Sequence, residues 1–232
     1  QYSISGRLVT LHEHNESNIL DQVLSNVISE RQAVALISDA GTPLIADPGF
    51  RLVRAAHEKN ISVFTVPGPC AAIAALSIAG LPSDRFVFEG FLPPRKSARL
   101  RRLAQLNTER RTMIFYEAPH RILAAISDMG AVFGSVRGVA VGREMTKRHE
   151  TLYRGSLGSV TKAMRSDENA ARGEIVIILS GANDLETNED ERKAMEMVDM
   201  LSRQMPKADA IKLAAEWTGL KRNLIYRLAH GS

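Results

Sequence analysis

The chain has 232 residues and 44% of them are apolar, which is enough to bury the core of one large domain or two small ones. This composition excludes a disordered chain, a collagen and a coiled coil. The apolar run 70–81 lies between two prolines and is shorter than the ~20 residues of a membrane span. We therefore expect a soluble protein with no membrane partner. A single cysteine, Cys70, has no internal disulfide partner and suits a reducing cytoplasm.

Basic residues exceed acidic ones by 30 to 26, and their distribution is uneven. One basic patch lies at 95–111 and a second follows residue 203. Such a density of cations suits the phosphate oxygens of a polyanion, although each patch is equally compatible with a solvated helix face. An acidic run at 184–191 separates the patches and predicts a flexible linker. The candidate phosphate-binding residues are Arg95, Lys96, Arg99, Arg101, Arg102, Lys221 and Arg222.

The first part of the chain alternates between strand and helix patterns. Short apolar runs predict strands at 8–11, 34–38 and 61–66, and apolar residues at helical spacing predict helices at 18–28 and 50–59. Strand, helix, strand, helix, strand is the order of a parallel α/β sheet.

The following residues predict a second α/β unit and then a helical tail. Helices are predicted at 71–79, 97–106, 121–129 and 159–164, and strands at 86–89, 112–116, 139–141 and 175–179. We therefore predict an N-terminal α/β domain at 1–90, a second α/β domain at 91–182, and a linker with a helical domain at 183–232.

From residue 207 the pattern fits a helix-turn-helix. Ala214 and Ala215 are small enough for a close helix crossing, and Gly219 suits a turn with positive φ. Because the motif is degenerate, nucleic-acid binding and an ordinary helical hairpin that caps the domain remain equally open.

Two loops stand where parallel strands would end. The segment 38–49 reads Ser-Asp-Ala-Gly-Thr-Pro-Leu-Ile-Ala-Asp-Pro-Gly, and the segment 66–72 reads Val-Pro-Gly-Pro-Cys-Ala-Ala. Open parallel sheets bind ligands at the carboxyl ends of their strands. Asp39, Thr42 and Asp47 offer oxygens to hydroxyl, amine or sulfonium groups, whereas a rigid turn with capping aspartates is the alternative.

Polar residues also follow two predicted strands of the second unit. Glu117, His120 and Arg121 come after one strand, and the run 143–147, Arg-Glu-Met-Thr-Lys, comes after another. Such clusters form either a site or a set of ion pairs, and the first interpretation is favoured. The sequence has no dinucleotide or nucleoside-triphosphate loop and no paired metal-ligand motif, so we expect no metal.

The segments 38–49, 66–72, 80–86, 115–117 and 143–147, together with the alanine-rich tail, closely resemble the ribosomal RNA small-subunit methyltransferase I family. This family is the 2′-O-ribose branch of the tetrapyrrole-methylase superfamily. The resemblance implies two α/β domains of tetrapyrrole-methylase type with a cofactor cleft between them, plus a small C-terminal helical tail. It also implies that the family's first strand and its Pro-Ile-Gly-Asn-type loop, which lie beside the cofactor, are missing before Gln1.

The resemblance further implies S-adenosylmethionine as cofactor and a homodimer. The substrate would be a cytidine ribose in the decoding region of 16S ribosomal RNA, as free RNA or in the small ribosomal subunit. Strand 175–179 would face the cofactor pocket. The other implied cofactor-binding residues are Ser38, Asp39, Ala40, Gly41, Thr42, Ile45, Asp47, Cys70, Ala71, Ala72 and Tyr116.

For catalysis we predict that Glu117 or Glu144 removes the hydroxyl proton while Arg143 and Lys147 place the adjacent phosphates. The basic segment is predicted to hold the RNA backbone. Two rival functions remain: methylation of a tetrapyrrole by the same fold, and a non-enzymatic regulator whose helical tail binds DNA.

Overall fold

The computed structural model describes residues 7–12, 15–30, 32–182 and 184–230. The helices in these ranges are α1 (Glu16–Glu30), α2 (Phe50–Glu58), α3 (Ala71–Ala79), α4 (Lys96–Gln105), α5 (Ile122–Phe133), α6 (Leu157–Arg165), α7 (Asp184–Leu201), α8 (Lys207–Thr218) and α9 (Arg222–His230). The strands are β1 (Phe86–Phe91), β2 (Thr112–Glu117), β3 (Gly138–Arg143), β4 (Thr151–Ser156) and β5 (Ile175–Leu179). The chain divides into two compact units, Gln1–Asn107 with Arg111–Ser180, and Thr108–Arg110 with Gly181–Ser232.

The described strands form one five-stranded sheet in the order β1-β2-β5-β3-β4. Strands β1 and β2 are parallel, and the other neighbouring pairs are antiparallel. Helix α3 covers one face, where its alanines pack against Ile114, Val176 and Ile178. Helices α4, α5 and α6 cover the other face and bury alternate residues of the same strands. The sheet is therefore mixed and buried on both faces.

The three strands predicted in the first 70 residues are wrong. Residues 8–11, 34–38 and 61–66 form no strand in the structure, and apolar side chains such as Ile37 and Phe64 are 73% and 86% exposed. A strand requires a partner for its backbone N–H and C=O groups. The apolar pattern indicates that these segments favour a strand, but it does not identify a neighbouring strand with which their backbone could pair. The helices predicted at 18–28, 50–59 and 71–79 are confirmed as α1, α2 and α3.

The longer segment of the second unit contains the helices α7, α8 and α9. The predicted acidic linker is wrong, because helix α7 begins at Asp184. Val198, Ala214 and Ile225 join α7, α8 and α9 in one buried cluster. Gly219 ends α8 with a φ of 73°, which confirms the predicted turn. No helix in the described ranges is long and apolar enough to cross a membrane.

Helices α4 and α5 are joined by a buried ion pair. The Arg99 guanidinium donates to the Asp128 carboxylate at 2.7 and 2.8 Å, and it also reaches the carbonyl of Pro94 at 3.2 Å. Both side chains are almost excluded from solvent. The prediction that Arg99 binds a phosphate is therefore wrong, because its charge is already neutralised inside the fold.

We expect Arg99→Met to lower the free energy of unfolding by ~3–5 kcal/mol, because it leaves the Asp128 charge buried and unpaired. Urea unfolding followed by far-ultraviolet circular dichroism measures the change. Arg101→Met is the matched control on the exposed face of the same helix, and its expected change is within ~0.5 kcal/mol. Equal midpoints for the two variants would contradict this assignment.

Candidate functional site

The loops 38–49 and 66–72 meet in the structure. The Thr42 hydroxyl donates to the carbonyl of Pro69 at 3.0 Å, and the Ser38 hydroxyl folds back onto the carbonyl of Ala40 at 2.8 Å. Asp39, Ala40 and Gly41 are exposed beside this contact. The two loops are therefore in contact, although the strands predicted to precede them are absent.

Backbone strain is concentrated in two of the predicted loops. In the described part of the chain, five non-glycine residues have positive φ, and four of them are Leu44 and Ala46 in the first loop and Glu144 and Thr146 in the run 143–147. Such conformations cost energy and persist where the surrounding structure enforces them, most often at functional sites. This pattern supports a functional role for both segments.

Tyr116 connects the sheet to the loop 66–72. It lies at the end of β2 on the face covered by α3, and its hydroxyl accepts the backbone N–H of Ala72 at 3.3 Å. Burial, followed by the neighbouring Cys70 thiol, raises the pKa of Tyr116 above its ordinary value. The hydroxyl therefore stays protonated at neutral pH and serves as a fixed hydrogen-bonding group at the first turn of α3.

Glu117 and Arg143 flank the first residue of the central strand. Both pair with Ile175, from β2 and β3 respectively, so their side chains share one face of the sheet. That face is opposite to Tyr116, because neighbouring strand residues alternate. The Glu117 carboxylate is buried and its Oε1 accepts the N–H of Ala118 at 2.7 Å and the Arg121 guanidinium at 2.6 Å. Glu117 is thus placed behind the sheet relative to the two loops.

Unpaired polar atoms collect around this strand end. Among the residues that the structure describes, the buried side-chain atoms without a hydrogen-bond partner include Glu117 Oε2, Arg121 Nε and Arg143 Nε. Each such atom costs ~1–3 kcal/mol, and native folds rarely accumulate them without a reason. Arg143 is the one of these three residues that also lines a cavity.

Glu144 joins the segment that follows β3 to the residue before β5, and its contacts with Glu174 and Lys147 are called the Glu144 clamp below. Its Oε1 accepts the backbone N–H of Glu174 at 2.8 Å and the Lys147 ammonium at 3.1 Å. Gly173 allows this approach, because a Cβ there would lie 2.4 Å from Oε1. The N–H of Glu174, followed by Lys147, lowers the pKa of Glu144 below its ordinary value. A carboxylate stabilised in this way is a weaker base than an ordinary one.

A cavity of about 450 Å³ opens beside the clamp. Two guanidinium groups and an imidazole among its lining residues give it an anion-binding character. In the described ranges, no group of three or more histidine, cysteine or acidic side chains is placed to hold a metal ion. The residues that line the cavity are Arg143, Glu144, His149, Asn169, Arg172 and Gly173.

The remaining candidate phosphate-binding residues differ in their solvent exposure and in whether they form an ion pair. Arg95, Lys96 and Arg101 are exposed at α4, whereas Arg102 pairs with Glu89 at 2.5 Å and stays partly exposed. In the second unit, Lys221 and Arg222 are exposed at the start of α9. The structure thus leaves six of the seven predicted phosphate-binding cations on the surface, Arg99 being the exception.

Two family models match the chain. The model for Tetrapyrrole (Corrin/Porphyrin) Methylases matches residues 3–161, and the RsmI C-terminal HTH domain matches residues 188–231. The chain is also 47% identical to "Ribosomal RNA small subunit methyltransferase I" of Xylella fastidiosa strain Temecula1, with 97% of the chain and 82% of the relative covered. Relatives of the same name from Escherichia coli O157:H7 and Pseudomonas aeruginosa are 43% and 46% identical, with 98% of the chain and 79% and 81% of the relatives covered. The chain belongs to the ribosomal RNA small subunit methyltransferase I family.

Two solved structures share the fold at low identity. Cobalt precorrin-4 methyltransferase superposes with a TM-score of 0.54 at 15% identity, covering 74% of this chain and 72% of the other. Diphthine synthase gives 0.54 at 14% identity, covering 75% and 69%. The predicted tetrapyrrole-methylase fold with a C-terminal helical region is therefore confirmed. The predicted domain boundaries stay a prediction.

Three residues that were not predicted contact parts of the structure that are distant from them in the sequence. Arg154 of β4 donates to the carbonyls of Ala79 and Gly80 at 2.7 and 3.2 Å and so caps the far end of α3. His149 and Arg172 reach the cavity from loops. No local pattern marks these residues, and β4 itself lacks the apolar alternation that predicts a strand.

We expect Glu144→Gln to reduce stability only where the carboxylate is ionised. The pKa of Glu144 lies below its ordinary 4.5 in the fold, so its contribution is present above that pH and is lost as pH falls through the lowered pKa. The expected difference from the parent protein is under ~1 kcal/mol, measured by urea unfolding between pH 3 and pH 7. Glu168→Gln, in an exposed loop, is the control. A difference that grows as pH falls would contradict the clamp.

Proposed function

We propose that this chain uses S-adenosylmethionine to methylate the ribose 2′-oxygen of a cytidine in the decoding region of 16S ribosomal RNA. The observation that carries the proposal is the similarity over nearly the whole chain to relatives named ribosomal RNA small subunit methyltransferase I. The meeting of the two loops with Tyr116 and the basic surface of α4 support it. We further propose that the enzyme is a homodimer and acts in the cytoplasm on the RNA or the small ribosomal subunit.

The two loops and Tyr116 fit the methyl donor. S-Adenosylmethionine supplies an electrophilic methyl group on a sulfonium centre when it is bound. Asp39 and Asp47 would oppose its positive charges, and the small residues at 40–41 and 71–72 leave room for a flat adenine against the backbone. The full set proposed to hold the donor is Ser38, Asp39, Ala40, Gly41, Thr42, Ile45, Asp47, Cys70, Ala71, Ala72 and Tyr116.

Catalysis is proposed to come mainly from alignment of the ribose hydroxyl. Arg143 lines the cavity at the end of the sheet and Lys147 lies beside it on the Glu144 clamp, so both are proposed to hold RNA phosphates at this end of the sheet. The hypothesis that Glu117 or Glu144 removes the proton stays a prediction. The geometry supports a positioning role for each, because Glu117 is committed to Arg121 and Glu144 to Lys147.

We expect transfer of radiolabelled methyl from S-adenosylmethionine to the ribose of one cytidine in small ribosomal subunits that lack the modification. Nuclease digestion and separation of the nucleosides locate the label. A 2′-O-methylcytidine product supports the proposal, whereas label on a base, or on an added tetrapyrrole but not on RNA, would overturn it. Sequence-specific duplex DNA binding without methyl transfer would instead favour a regulator. Thr42→Val is a matched variant, because it removes the hydroxyl that joins the loops at similar volume.

We expect the double variant Lys96→Ala/Arg101→Ala to bind RNA more weakly and with a flatter salt dependence. Each lost phosphate contact should reduce the slope of log K against log salt by about one at most. Filter binding between low and moderate salt measures this slope. The double variant Arg192→Ala/Lys193→Ala on α7 provides a control of equal charge change in the other unit. An unchanged slope would remove α4 from the RNA interface.

A further inference from the structure

We propose that Phe88 and Phe91 of β1, together with Tyr116, form a stacking platform for a nucleobase of the RNA substrate. This inference rests on the proposed function and adds to it the surface that receives the base. Three features of the molecule support it: a bulge that brings the rings to one face, their exposure beside the donor loop, and the charge of the helix that follows.

A β-bulge places both phenylalanines on one face of the sheet. Phe88 pairs with Ile114 and Phe91 with Tyr116, and the register shifts between Phe88 and Gly90. Residues three apart in a regular strand point to opposite faces, so the extra residue turns Phe91 to the side that Phe88 occupies. Gly90 provides the required backbone, with a φ of 65°. The bulge therefore gathers the rings on the face that carries α3 and Tyr116.

The gathered rings remain open to solvent. Phe88 is 36% and Phe91 53% exposed, although burial of either ring would be favourable. Their centroids lie 5.1 and 5.7 Å from that of Tyr116, at interplanar angles of 76° and 59°. The phenylalanine rings contact the tyrosine edge-on or tilted, and their exposure makes the cluster an open aromatic surface. Aromatic side chains of this kind stack on unpaired RNA bases.

The platform adjoins the proposed methyl-donor loops. The Tyr116 hydroxyl accepts the N–H of Ala72, which ties the central ring of the cluster to the loop 66–72. A base held on Phe88 and Phe91 would therefore lie near the group that methylates its ribose or a neighbouring one. This adjacency is what a base-positioning surface needs, since 2′-O transfer depends on the alignment of one particular sugar.

The charge around β1 favours a polyanion over an apolar partner. Exposed Arg95 and Lys96 follow the platform at the start of α4. The carboxylate of Glu89, at the bulge itself, is neutralised by Arg102 at 2.5 Å. Exposed cations that follow directly after an aromatic strand match the combination that binds single-stranded RNA.

The test uses Phe88→Leu/Phe91→Leu, which keeps the apolar volume but removes the aromatic faces. We expect the KM for small ribosomal subunits to rise ~5- to 100-fold, with little change in the affinity for S-adenosylmethionine measured by calorimetry. Phe88→Tyr/Phe91→Tyr should restore the KM, because it restores the rings. Phe86→Leu, 39% exposed on the same strand but at the end away from Tyr116, is the control and should change the KM less than 2-fold.

Results that would overturn the platform alone can be distinguished from a result that would also overturn the proposed function. An unchanged KM in the leucine double variant, or an equal effect of Phe86→Leu, would overturn the platform while leaving the proposed function intact. A change in oligomeric state, measured by light scattering, would show that a second copy occupies this face instead and would also overturn it. A parent protein that binds the methyl donor but does not methylate RNA would overturn the proposed function, and the platform with it.

Discussion

The central strand β5 determines where polar chemistry can occur in this fold. All five of its residues are buried between β2 and β3, and both faces of the sheet are covered by apolar side chains. A charged group placed among them would cost several kcal/mol. Glu117 and Arg143 therefore stand at the first position where the sheet ends, on either side of Ile175. Polar groups are thus concentrated at the end of the sheet beside Ile175, and the buried polar atoms without a hydrogen-bond partner lie among them.

The alternation of strand residues then assigns neighbouring side chains to different tasks. Tyr116 and Glu117 are adjacent in sequence, yet they lie on opposite faces of the sheet. Tyr116 contacts the loop that we propose holds the methyl donor, while Glu117 holds Arg121 in the layer beneath the helices. The two neighbouring residues of this motif therefore have different contacts. Tyr116 lies on the side of the proposed methyl-donor loop, and Glu117 lies on the other side of the sheet.

The helices and the two glycine- and proline-rich loops could be predicted, because both depend on residues close together in the sequence. Helical periodicity gave α1 to α6, α8 and α9 within a few residues, and glycine and proline marked the loops 38–49 and 66–72. The burial of Arg99 could not be predicted, because its partner Asp128 is 29 residues away and an arginine on a basic helix has no local sign of being buried. The three N-terminal strands failed for a similar reason, since strand formation depends on a partner that periodicity does not identify. The aromatic cluster was missed because a bulge, which shifts the period by one residue, conceals the shared face of Phe88 and Phe91.

Helix α3 explains how a loop can be held well enough for catalysis by alignment. Its first turn is fixed by the Tyr116 hydroxyl and its last carbonyls by Arg154, and both residues belong to the sheet. Four of its residues are buried against β2, β3 and β5, and three of these are alanines, which allows the helix to approach the strands closely. The end of the loop 66–72 is thus tied to the sheet through Ala72. Because a displacement of ~1 Å can cost ~100-fold in rate, rigid attachment at both ends of α3 can contribute as much as a general base would.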